Sequence, residues 1–122
     1  GNKLSGHIPP ALCQVNTLTS ISLCSNQISG CIPEAIGQLR QLAILDLSNN
    51  QLEGPVPSSV TELTNLTKLH LNGNHLEGEV PDGLGQRMKD LKHLYLEKNN
   101  ITDANVKRSQ LECELPACVV RL

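Results

Sequence analysis

The stretch from Leu42 to Pro57 reads LAILDLSNNQLEGPVP, and its pattern is repeated along most of the chain. Apolar residues stand at offsets 0, 3, 5 and 10 within it, and an asparagine stands at offset 8. The same frame occurs once before this stretch and twice after it, at a nearly constant spacing. The four copies are Leu18, Ile21, Leu23, Asn26, Ile28; Leu42, Leu45, Leu47, Asn50, Leu52; Leu66, Leu69, Leu71, Asn74, Leu76; and Leu91, Leu94, Leu96, Asn99, Ile101. Such a chain is predicted to stack similar units, each adding one aliphatic layer to a continuous core.

The front half of each unit predicts a strand followed by a bend. Two leucines separated by one residue point to the same side of a strand, so the residues between them face the opposite, concave side. The asparagine then has an amide that both donates to and accepts from backbone groups that the bend leaves unpaired. Repetition of this residue predicts a ladder of amides along the stack.

The back half of each unit carries the motif G-x-[IV]-P, at 6–9, 30–33, 54–57 and 78–81. Glycine permits backbone conformations that other residues resist, and the residue before a proline is driven toward extended geometry. A short extended segment is therefore expected beside each bend. Ile36 and Leu39 then keep helical spacing, which predicts a one-turn or 3₁₀ segment on the convex back. The fourth unit is one residue longer, within 86–89, and a surface loop absorbs such an insertion easily.

These patterns divide the chain into repeats over residues 1–102 and a C-terminal cap over 103–122. The repeats are a truncated first repeat at 2–17 and full or partial ones at 18–41, 42–65, 66–90 and 91–102. Asn2 falls one full period before Asn26, so the strand of the first repeat would lie upstream, and we expect the chain to be continuous with further N-terminal repeats. The inward layer of that first repeat is predicted to be Leu4, Ile8, Leu12 and Val15. Asp103 stands where the pattern of Gly78 predicts glycine, and the cap is expected to begin there.

The regular period with L-x-G-x-[IV]-P resembles the plant-type subclass of leucine-rich repeats over residues 2–101. That subclass forms the ectodomains of plant receptor-like kinases and receptor-like proteins, and the polygalacturonase-inhibiting proteins. The resemblance implies an α/β fold: a right-handed leucine-rich-repeat solenoid with a parallel sheet on the concave face and short extended and 3₁₀ segments on the convex face. It leaves the ligand open, because function lies in surface residues grafted on a fold.

The concave face is where the sequence places a candidate binding site. Equivalent residues on neighbouring parallel strands lie about 4.8 Å apart, so the outward positions form a grid. This grid runs from small neutral residues in the second repeat to charged and aromatic residues in the fourth and fifth. Its predicted ligand-binding residues are Asp46, Lys68, His70, Asn72, His93, Tyr95 and Glu97. Tyr95, the one aromatic Phe, Trp or Tyr residue of the chain, has the rigid amphipathic character of residues that dominate binding energy.

Two chemical alternatives on the same face are disfavoured. Ser22, Asp46 and His70 share one row, but a nucleophilic triad needs the histidine between the serine and the aspartate, and here Asp46 lies between them. We therefore assign no catalytic residue and predict that the chain is not an enzyme. Asp46, His70 and His93 include zinc-ligand types, yet on an open sheet an Asp46–His70 contact is the simpler expectation, so we assign no metal and no cofactor.

The cysteines and the glycosylation motifs bear on the compartment. The five cysteines are Cys13, Cys24, Cys31, Cys113 and Cys118, and the odd count leaves at least one unpaired within the chain. If the protein is secreted, a Cys113–Cys118 disulfide would stabilise the cap; the alternative is that all five are free thiols, as in a cytosolic protein. Asn65 and Asn100 begin N-x-T acceptor motifs for N-glycosylation.

Composition excludes several classes of partner. The net charge is −2 and the basic residues are scattered, which gives no footprint for nucleic acid. No apolar run approaches the roughly 20 residues that span a bilayer, so no membrane segment is predicted in this chain.

The favoured function is recognition of a protein or peptide ligand through the concave face, as part of a surface or secreted protein of receptor-like signalling or defence. The alternatives are a structural spacer or scaffold segment of a longer repeat protein, and an inhibitor of a secreted enzyme such as a polygalacturonase. Localisation is expected to be extracellular or at the cell surface, with a cytoplasmic scaffold as the alternative.

Overall fold

A computed structural model describes residues 3–102 and 104–122 of the chain, and within residues 104–106 only the backbone. Asn2 and Asp103, which the sequence assigned to the first repeat and to the start of the cap, lie outside the described residues. Within the described part, the strands form two five-stranded parallel sheets that run along a solenoid. This architecture confirms the predicted fold class.

The first sheet forms the concave face and contains one short strand from each of the second to fifth repeats and one from the C-terminal cap. With strands numbered in chain order, its members are β2 (Ser20–Ser22), β4 (Ile44–Asp46), β6 (Lys68–His70), β8 (His93–Tyr95) and β10 (Val119–Arg121). Their spatial order is β10-β8-β6-β4-β2. In β2, β4, β6 and β8 the central residue is buried and its two neighbours are not, as the period-2 alternation predicted. The strand from the cap, β10, was not predicted.

The second sheet is built from the extended segments beside the bends. Its members are β1 (Ser5–Gly6), β3 (Gln27–Cys31), β5 (Gln51–Pro55), β7 (His75–Gly78) and β9 (Asn100–Ile101), paired in that order. The sequence predicted the extended geometry of these segments. Their pairing into a sheet follows from the stacking of successive repeats, which brings equivalent segments side by side.

The convex back carries one short helical turn in each repeat. Three of these turns are 3₁₀ helices, at Pro10–Gln14, Glu34–Gln38 and Ser58–Glu62, and the fourth is a single α-helical turn, α1 (Leu84–Arg87). In the third repeat the Leu63 N–H donates to the Val60 carbonyl, three residues back, whereas in the fourth the Met88 N–H donates to the Leu84 carbonyl, four residues back. An α turn uses about 3.6 residues where a 3₁₀ turn uses about 3. The extra residue of the fourth repeat is therefore accommodated in this turn.

The aliphatic core is deepest in the middle of the solenoid. The frame leucines of the third and fourth repeats are essentially inaccessible, with exposed fractions of 0–1%: Leu42, Leu45, Leu47, Leu52, Leu66, Leu69, Leu71 and Leu76. In the first repeat the prediction of an inward layer is only partly right. Ile8 is 4% exposed, but Leu4 is 51% and Val15 is 47% exposed, because no preceding layer covers them in this chain. Cys13, which is not among the predicted inward residues, is fully buried. Burial raises the pKa of its thiol.

The predicted asparagine ladder is present and joins successive repeats. Each amide nitrogen donates to two carbonyls of its own bend and, from Asn50 onward, to a carbonyl of the preceding repeat; for Asn74 these include Leu71 at 3.0 Å and Leu47 at 3.0 Å. Each amide oxygen accepts from a backbone N–H of the preceding repeat, as Asn74 does from Leu52 at 3.1 Å. The other three ladder residues make the corresponding bonds: Asn26, Asn50 and Asn99. The asparagine of each bend thus forms hydrogen bonds with backbone groups of the preceding repeat as well as with those of its own bend.

A left-handed residue precedes each ladder asparagine, a feature that the sequence frame did not reveal. The residue has a positive φ at Ser25 (58°), Asn49 (56°), Gly73 (70°) and Lys98 (60°). Three of the four are not glycine, so the bend imposes this conformation on side chains that resist it. At Gly73 an added Cβ would lie 2.3 Å from Asn49 Oδ1, which makes glycine the residue that fits there.

The C-terminal segment covers the last repeat with a helix and a strand. The helix α2 (Ala104–Glu114) buries Leu111, and the following turn buries Leu115. Lys107 ties the helix to the fourth repeat, because its ammonium donates to the Val80 carbonyl at 2.6 Å and to Asp82 Oδ1 at 2.9 Å. The strand β10 then extends the concave sheet beyond β8.

The disulfide predicted between Cys113 and Cys118 is not present in the structure, where both are free thiols. Cys113 lies on the exposed side of α2, whereas Cys118 packs partly buried against the core. The two side chains therefore serve opposite sides of the cap. Burial raises the pKa of the Cys118 thiol, and a hydrogen bond from the Leu94 backbone opposes that rise.

Helices in the described residues are all too short and too polar to cross a lipid bilayer.

Candidate ligand-binding surface

The predicted site residues occupy three rows that cross the concave sheet. Strand register fixes the first two rows: Ile44 pairs with Lys68 and Lys68 with His93, while Asp46 pairs with His70 and His70 with Tyr95. The third row contains Ser48, Asn72 and Glu97. Its alignment follows from the Gly73 N–H donating to the Glu97 carbonyl at 3.1 Å and the Asn49 N–H donating to the Asn72 carbonyl at 2.9 Å, which continue the ladder beyond the strand ends. All seven predicted residues therefore lie on one face.

The Tyr95 ring lies between the side chains of His70 and Arg121. The His70 ring stacks on it, with centroids 4.4 Å apart and planes 10° from parallel. The Arg121 guanidinium carbon lies 4.5 Å from the Tyr95 ring centroid, and because β6 and β10 flank β8, it approaches from the other side. The Tyr95 hydroxyl is 3.1 Å from His93 Nδ1. These contacts fix the orientation of the ring.

Asp46 holds the other side of His70. Its Oδ2 lies 3.6 Å from His70 Nδ1, which is the Asp46–His70 contact expected from the sequence. Its Oδ1 accepts from the Ser48 hydroxyl at 2.6 Å and from the Ser48 N–H at 3.1 Å. We call Asp46, His70, Tyr95 and Arg121 the concave stack. It alternates an acid, an imidazole, a phenol and a guanidinium across four adjacent strands.

Three buried polar atoms beside the concave stack have no hydrogen-bond partner within the described part of the chain. They are His70 Nε2, Asn72 Oδ1 and Glu97 Oε2. A buried donor or acceptor without a partner costs about 1–3 kcal/mol. Unsatisfied groups of this kind are uncommon in folded proteins, and their concentration on one face marks a place where a ligand or ordered water completes the bonding.

Lys68 and His93 form the remaining row of the site. Lys68 is exposed and His93 is half-buried. The ring of His93 is edge-on to that of His70, with centroids 6.0 Å apart. One margin of the surface is therefore basic, while the row of Asn72 and Glu97 on the opposite side of the concave stack is rich in acceptors.

Arg121 is the functional candidate that sequence reasoning missed. Its signal is the triplet Val119, Val120 and Arg121, in which the middle residue is less exposed than its two neighbours. That is the same alternation as in the other concave strands, but three residues at the end of a chain without the leucine frame are too short a pattern to identify a strand. Ser48, whose hydroxyl and N–H both donate to Asp46, lies in the third row and is not among the residues predicted for the site.

The geometry of the concave face does not support the catalytic alternative. Ser22 pairs with Asp46, and Asp46 pairs with His70, so the serine and the histidine are two strands apart. The sheet is open at this row, and His70 contacts the Tyr95 ring and the Asp46 carboxylate. This arrangement suits binding.

The glycosylation motifs and the remaining cysteines lie away from the concave stack. Asn65 and Asn100 are both exposed. The Asn65 amide donates to the Arg40 carbonyl at 3.1 Å, and Asn100 begins β9 in the second sheet. Cys24 is half-buried after β2, and Cys31 is exposed at the end of β3.

Comparisons with known proteins agree with this architecture. The family model described as "Leucine rich repeat" matches residues 16–76, and the model described as "Leucine Rich repeats (2 copies)" matches residues 64–108. No curated protein sequence is a significant match.

Three solved structures illustrate the likeness. The Arabidopsis receptor kinase HAESA, solved with the peptide hormone IDA and the co-receptor SERK1, is 41% identical with a TM-score of 0.79, over 82% of this chain and 17% of that chain. The LRR ectodomain of the Arabidopsis membrane receptor kinase GASSHO1/SCHENGEN3, solved with CASPARIAN STRIP INTEGRITY FACTOR 2, is 30% identical with a TM-score of 0.81, over 91% and 14%. A plant ice-binding protein is 39% identical with a TM-score of 0.76, over 80% and 31%. The chain thus spans less than a third of each of these relatives.

Proposed function

Because the chain belongs to the plant-type leucine-rich-repeat family, we propose that it binds a peptide or a protein segment along its concave face. The observation that carries this proposal is the concave stack, in which Tyr95 is fixed between His70 at 4.4 Å and Arg121 at 4.5 Å. A rigid aromatic ring with a polar tip loses little entropy when a ligand covers it, which is why such residues dominate binding energy.

Support for a peptide ligand comes from the shape and polarity of the surface. The sheet is open and several strands wide, which matches an extended chain better than an enclosed small molecule. Its polar groups are spread over three rows, so a ligand that contacts all of them must be long. HAESA, whose ectodomain is similar, was solved with a peptide hormone bound.

An extracellular location belongs to the same proposal. The Asn65 and Asn100 motifs are exposed, as glycosylation acceptors must be, and the relatives of known setting are membrane receptor kinases. Expression with a signal sequence in plant cells should give a protein whose mass falls on treatment with a glycosidase. A secreted product of unmodified mass, with both motifs intact, would remove this support.

The test of the binding function separates the concave face from the rest of the molecule. The chain is immobilised and exposed to the extracellular peptide fraction of a plant, and captured peptides are identified by mass spectrometry and synthesised. Calorimetry then compares wild type with the double variant His70→Ala, Tyr95→Ala and with a control on the second sheet, Gln51→Ala, Glu53→Ala.

We expect the concave variant to bind at least about tenfold more weakly, because truncating a central aromatic residue typically costs about 2 kcal/mol. The control variant should bind as wild type does. Equal binding by the concave variant would move the site off this face. Both variants need the circular dichroism spectrum of the wild type for the comparison to hold.

A structural spacer is the second candidate, and the coverage of the relatives favours it. The chain corresponds to only 14–31% of the three similar structures, so most of each of those proteins lies outside the part that this chain matches. In that case no synthesised peptide would bind the chain with an affinity that depends on Tyr95.

A further inference from the structure

We propose that the ligand places a guanidinium group, from an arginine side chain, against Asn72 and Glu97 on the concave face. This inference rests on the proposed function and specifies the chemistry of one ligand residue. It begins from two of the unsatisfied polar atoms, the Asn72 amide oxygen and the Glu97 carboxylate oxygen, which are both acceptors.

The first step concerns the two fixed acceptors. Asn72 Oδ1 and Glu97 Oε2 are both buried and both without a donor among the described residues. Asn72 lies opposite Glu97 on the adjacent strand, as the backbone bond from Gly73 to Glu97 shows. Adjacent parallel strands are about 4.8 Å apart. Two acceptors at this spacing are bridged by a group with several N–H donors spread over a similar width.

The second step concerns charge. No lysine, arginine or histidine nitrogen in the described residues lies within 4.0 Å of the Glu97 carboxylate. Burying part of an anion without a counter-charge is unfavourable. A cationic donor therefore suits this position better than a neutral amide.

The third step asks whether the cations of the same face would repel such a group. Lys68 and His93 lie in the row on the other side of the concave stack, two rows from Asn72 and Glu97. Residues two positions apart on a strand are about 6.6 Å apart, so these two basic side chains lie roughly 13 Å away. Arg121 is nearer, but its guanidinium is held over the Tyr95 ring. Beyond a Debye length, about 10 Å at moderate salt, exposed charges are largely screened.

The final step distinguishes guanidinium from ammonium. Arginine offers five donors in a planar fork, which reaches two separate acceptors at once, whereas a lysine ammonium is a compact point charge. A planar fork also lies flat beside the ordered rings of His70 and Tyr95. The site is therefore expected to prefer arginine over lysine.

The probes for this test are single residues with blocked ends. N-acetyl-arginine amide is titrated into the ¹⁵N-labelled chain and followed by NMR, beside N-acetyl-lysine amide and N-acetyl-citrulline amide. Citrulline has the shape of arginine but is neutral, so it isolates the charge. The Glu97→Gln variant keeps the size of the side chain, and Glu53→Gln on the exposed surface of the second sheet is its matched control.

We expect the arginine probe to shift the backbone amide resonances of 71–73 and 95–98, with the citrulline probe binding about tenfold more weakly, since a charged donor makes a stronger hydrogen bond to a carboxylate than a neutral one does. The Glu97→Gln variant should bind the arginine probe more weakly by a similar factor, and the Glu53→Gln variant should bind it as wild type does. Equal binding of arginine and citrulline would overturn the proposal, as would unchanged binding by Glu97→Gln. If the Asn72 amide instead donates to Glu97, the variant changes stability while arginine binds no better than citrulline, which also overturns it.

Failure here and failure of the proposed function give different results. A natural peptide that is lost with His70→Ala, Tyr95→Ala but retained with Glu97→Gln leaves the binding function standing and removes only the guanidinium assignment. A peptide insensitive to all of these variants removes both.

Discussion

The middle of the solenoid and its N-terminal end follow the same repeat pattern but reach different degrees of burial. Leu42, at the start of the third repeat, is 0% exposed, whereas its counterpart Leu18 is only partly buried. Farther toward the N-terminus, Leu4 and Val15 are about half exposed, at 51% and 47%. The frame decides which way a side chain points, and the neighbouring layers decide how much water it loses. In a solenoid, stability is therefore a property of pairs of adjacent repeats more than of any single repeat.

The largest expected effect on stability comes from a matched pair of leucine truncations that tests this difference in burial. Leu42→Ala should lower the free energy of unfolding by about 2–5 kcal/mol, because it leaves a cavity between two filled layers. Leu18→Ala should cost less than half as much, since water already reaches its site. Urea unfolding followed by circular dichroism measures both. Equal losses would show that the second repeat is as tightly packed as the third.

The amide ladder offers the next test. Asn74 is 5% exposed and satisfies backbone groups in two repeats, so Asn74→Ala leaves several of them unpaired and should cost about 2–3 kcal/mol. Asn26 bonds to Leu4 and to carbonyls of its own bend, where water can replace it. We expect Asn26→Ala to cost about 1 kcal/mol or less. The reverse order in urea unfolding would contradict the role assigned to neighbouring layers.

Substitutions at the positive-φ residue before each ladder asparagine should have a smaller effect on stability, and they allow the bends to be compared with one another. Gly73→Ala should cost about 1–2 kcal/mol, because alanine resists a φ of 70° and its Cβ would displace the Asn49 side chain. Lys98, in the equivalent position, already bears the strain of a φ of 60°. Lys98→Gly should therefore leave stability unchanged or raise it slightly. Thermal unfolding checks both, and a stable Gly73→Ala variant would mean that this bend relaxes freely.

The smallest expected effect is a pH dependence at the C-terminal end. The hydrogen bond from Lys107 and its positive charge lower the pKa of Asp82 from its usual 3.8. A lowered pKa in the folded state means that Asp82 contributes stability above its unfolded pKa and that this contribution disappears as the pH falls through the folded value. Between about pH 5 and pH 3, wild type should thus lose slightly more stability than Lys107→Met.

Urea midpoints measured across that range provide the comparison. Asp82→Asn serves as the control, since it should remove the same increment without disturbing the bond from Lys107 to the Val80 carbonyl. Parallel pH profiles for wild type and both variants would show that the pair does not link the cap to the repeats.

Much of this architecture could be predicted from sequence because the repeat itself is informative. Four copies of one frame located the concave strands, the asparagine ladder and the convex turns, and the alternation within each strand placed all seven predicted residues on one face. What escaped prediction depends on contacts between repeats. The second sheet forms only when extended segments stack, and Arg121 joins the site only because the cap returns a strand to the concave sheet.

The contacts between side chains within the site could likewise not be predicted from the sequence. Register places His70 beside Tyr95, but whether the two rings stack or splay depends on rotamers that neighbouring side chains select. The sequence leaves two alternatives for Cys113 and Cys118, a disulfide if the protein is secreted or two free thiols, and in the structure both are free thiols. The number and spacing of the cysteines do not choose between these alternatives.

The single α turn in the fourth repeat has a consequence for how such genes can vary. Its extra residue is taken up entirely on the convex back, and the concave strands on either side, β6 and β8, keep their register. Insertions and deletions in these turns therefore leave the spacing of the three rows unaltered. The convex back of a repeat can change in length while the concave surface keeps its geometry.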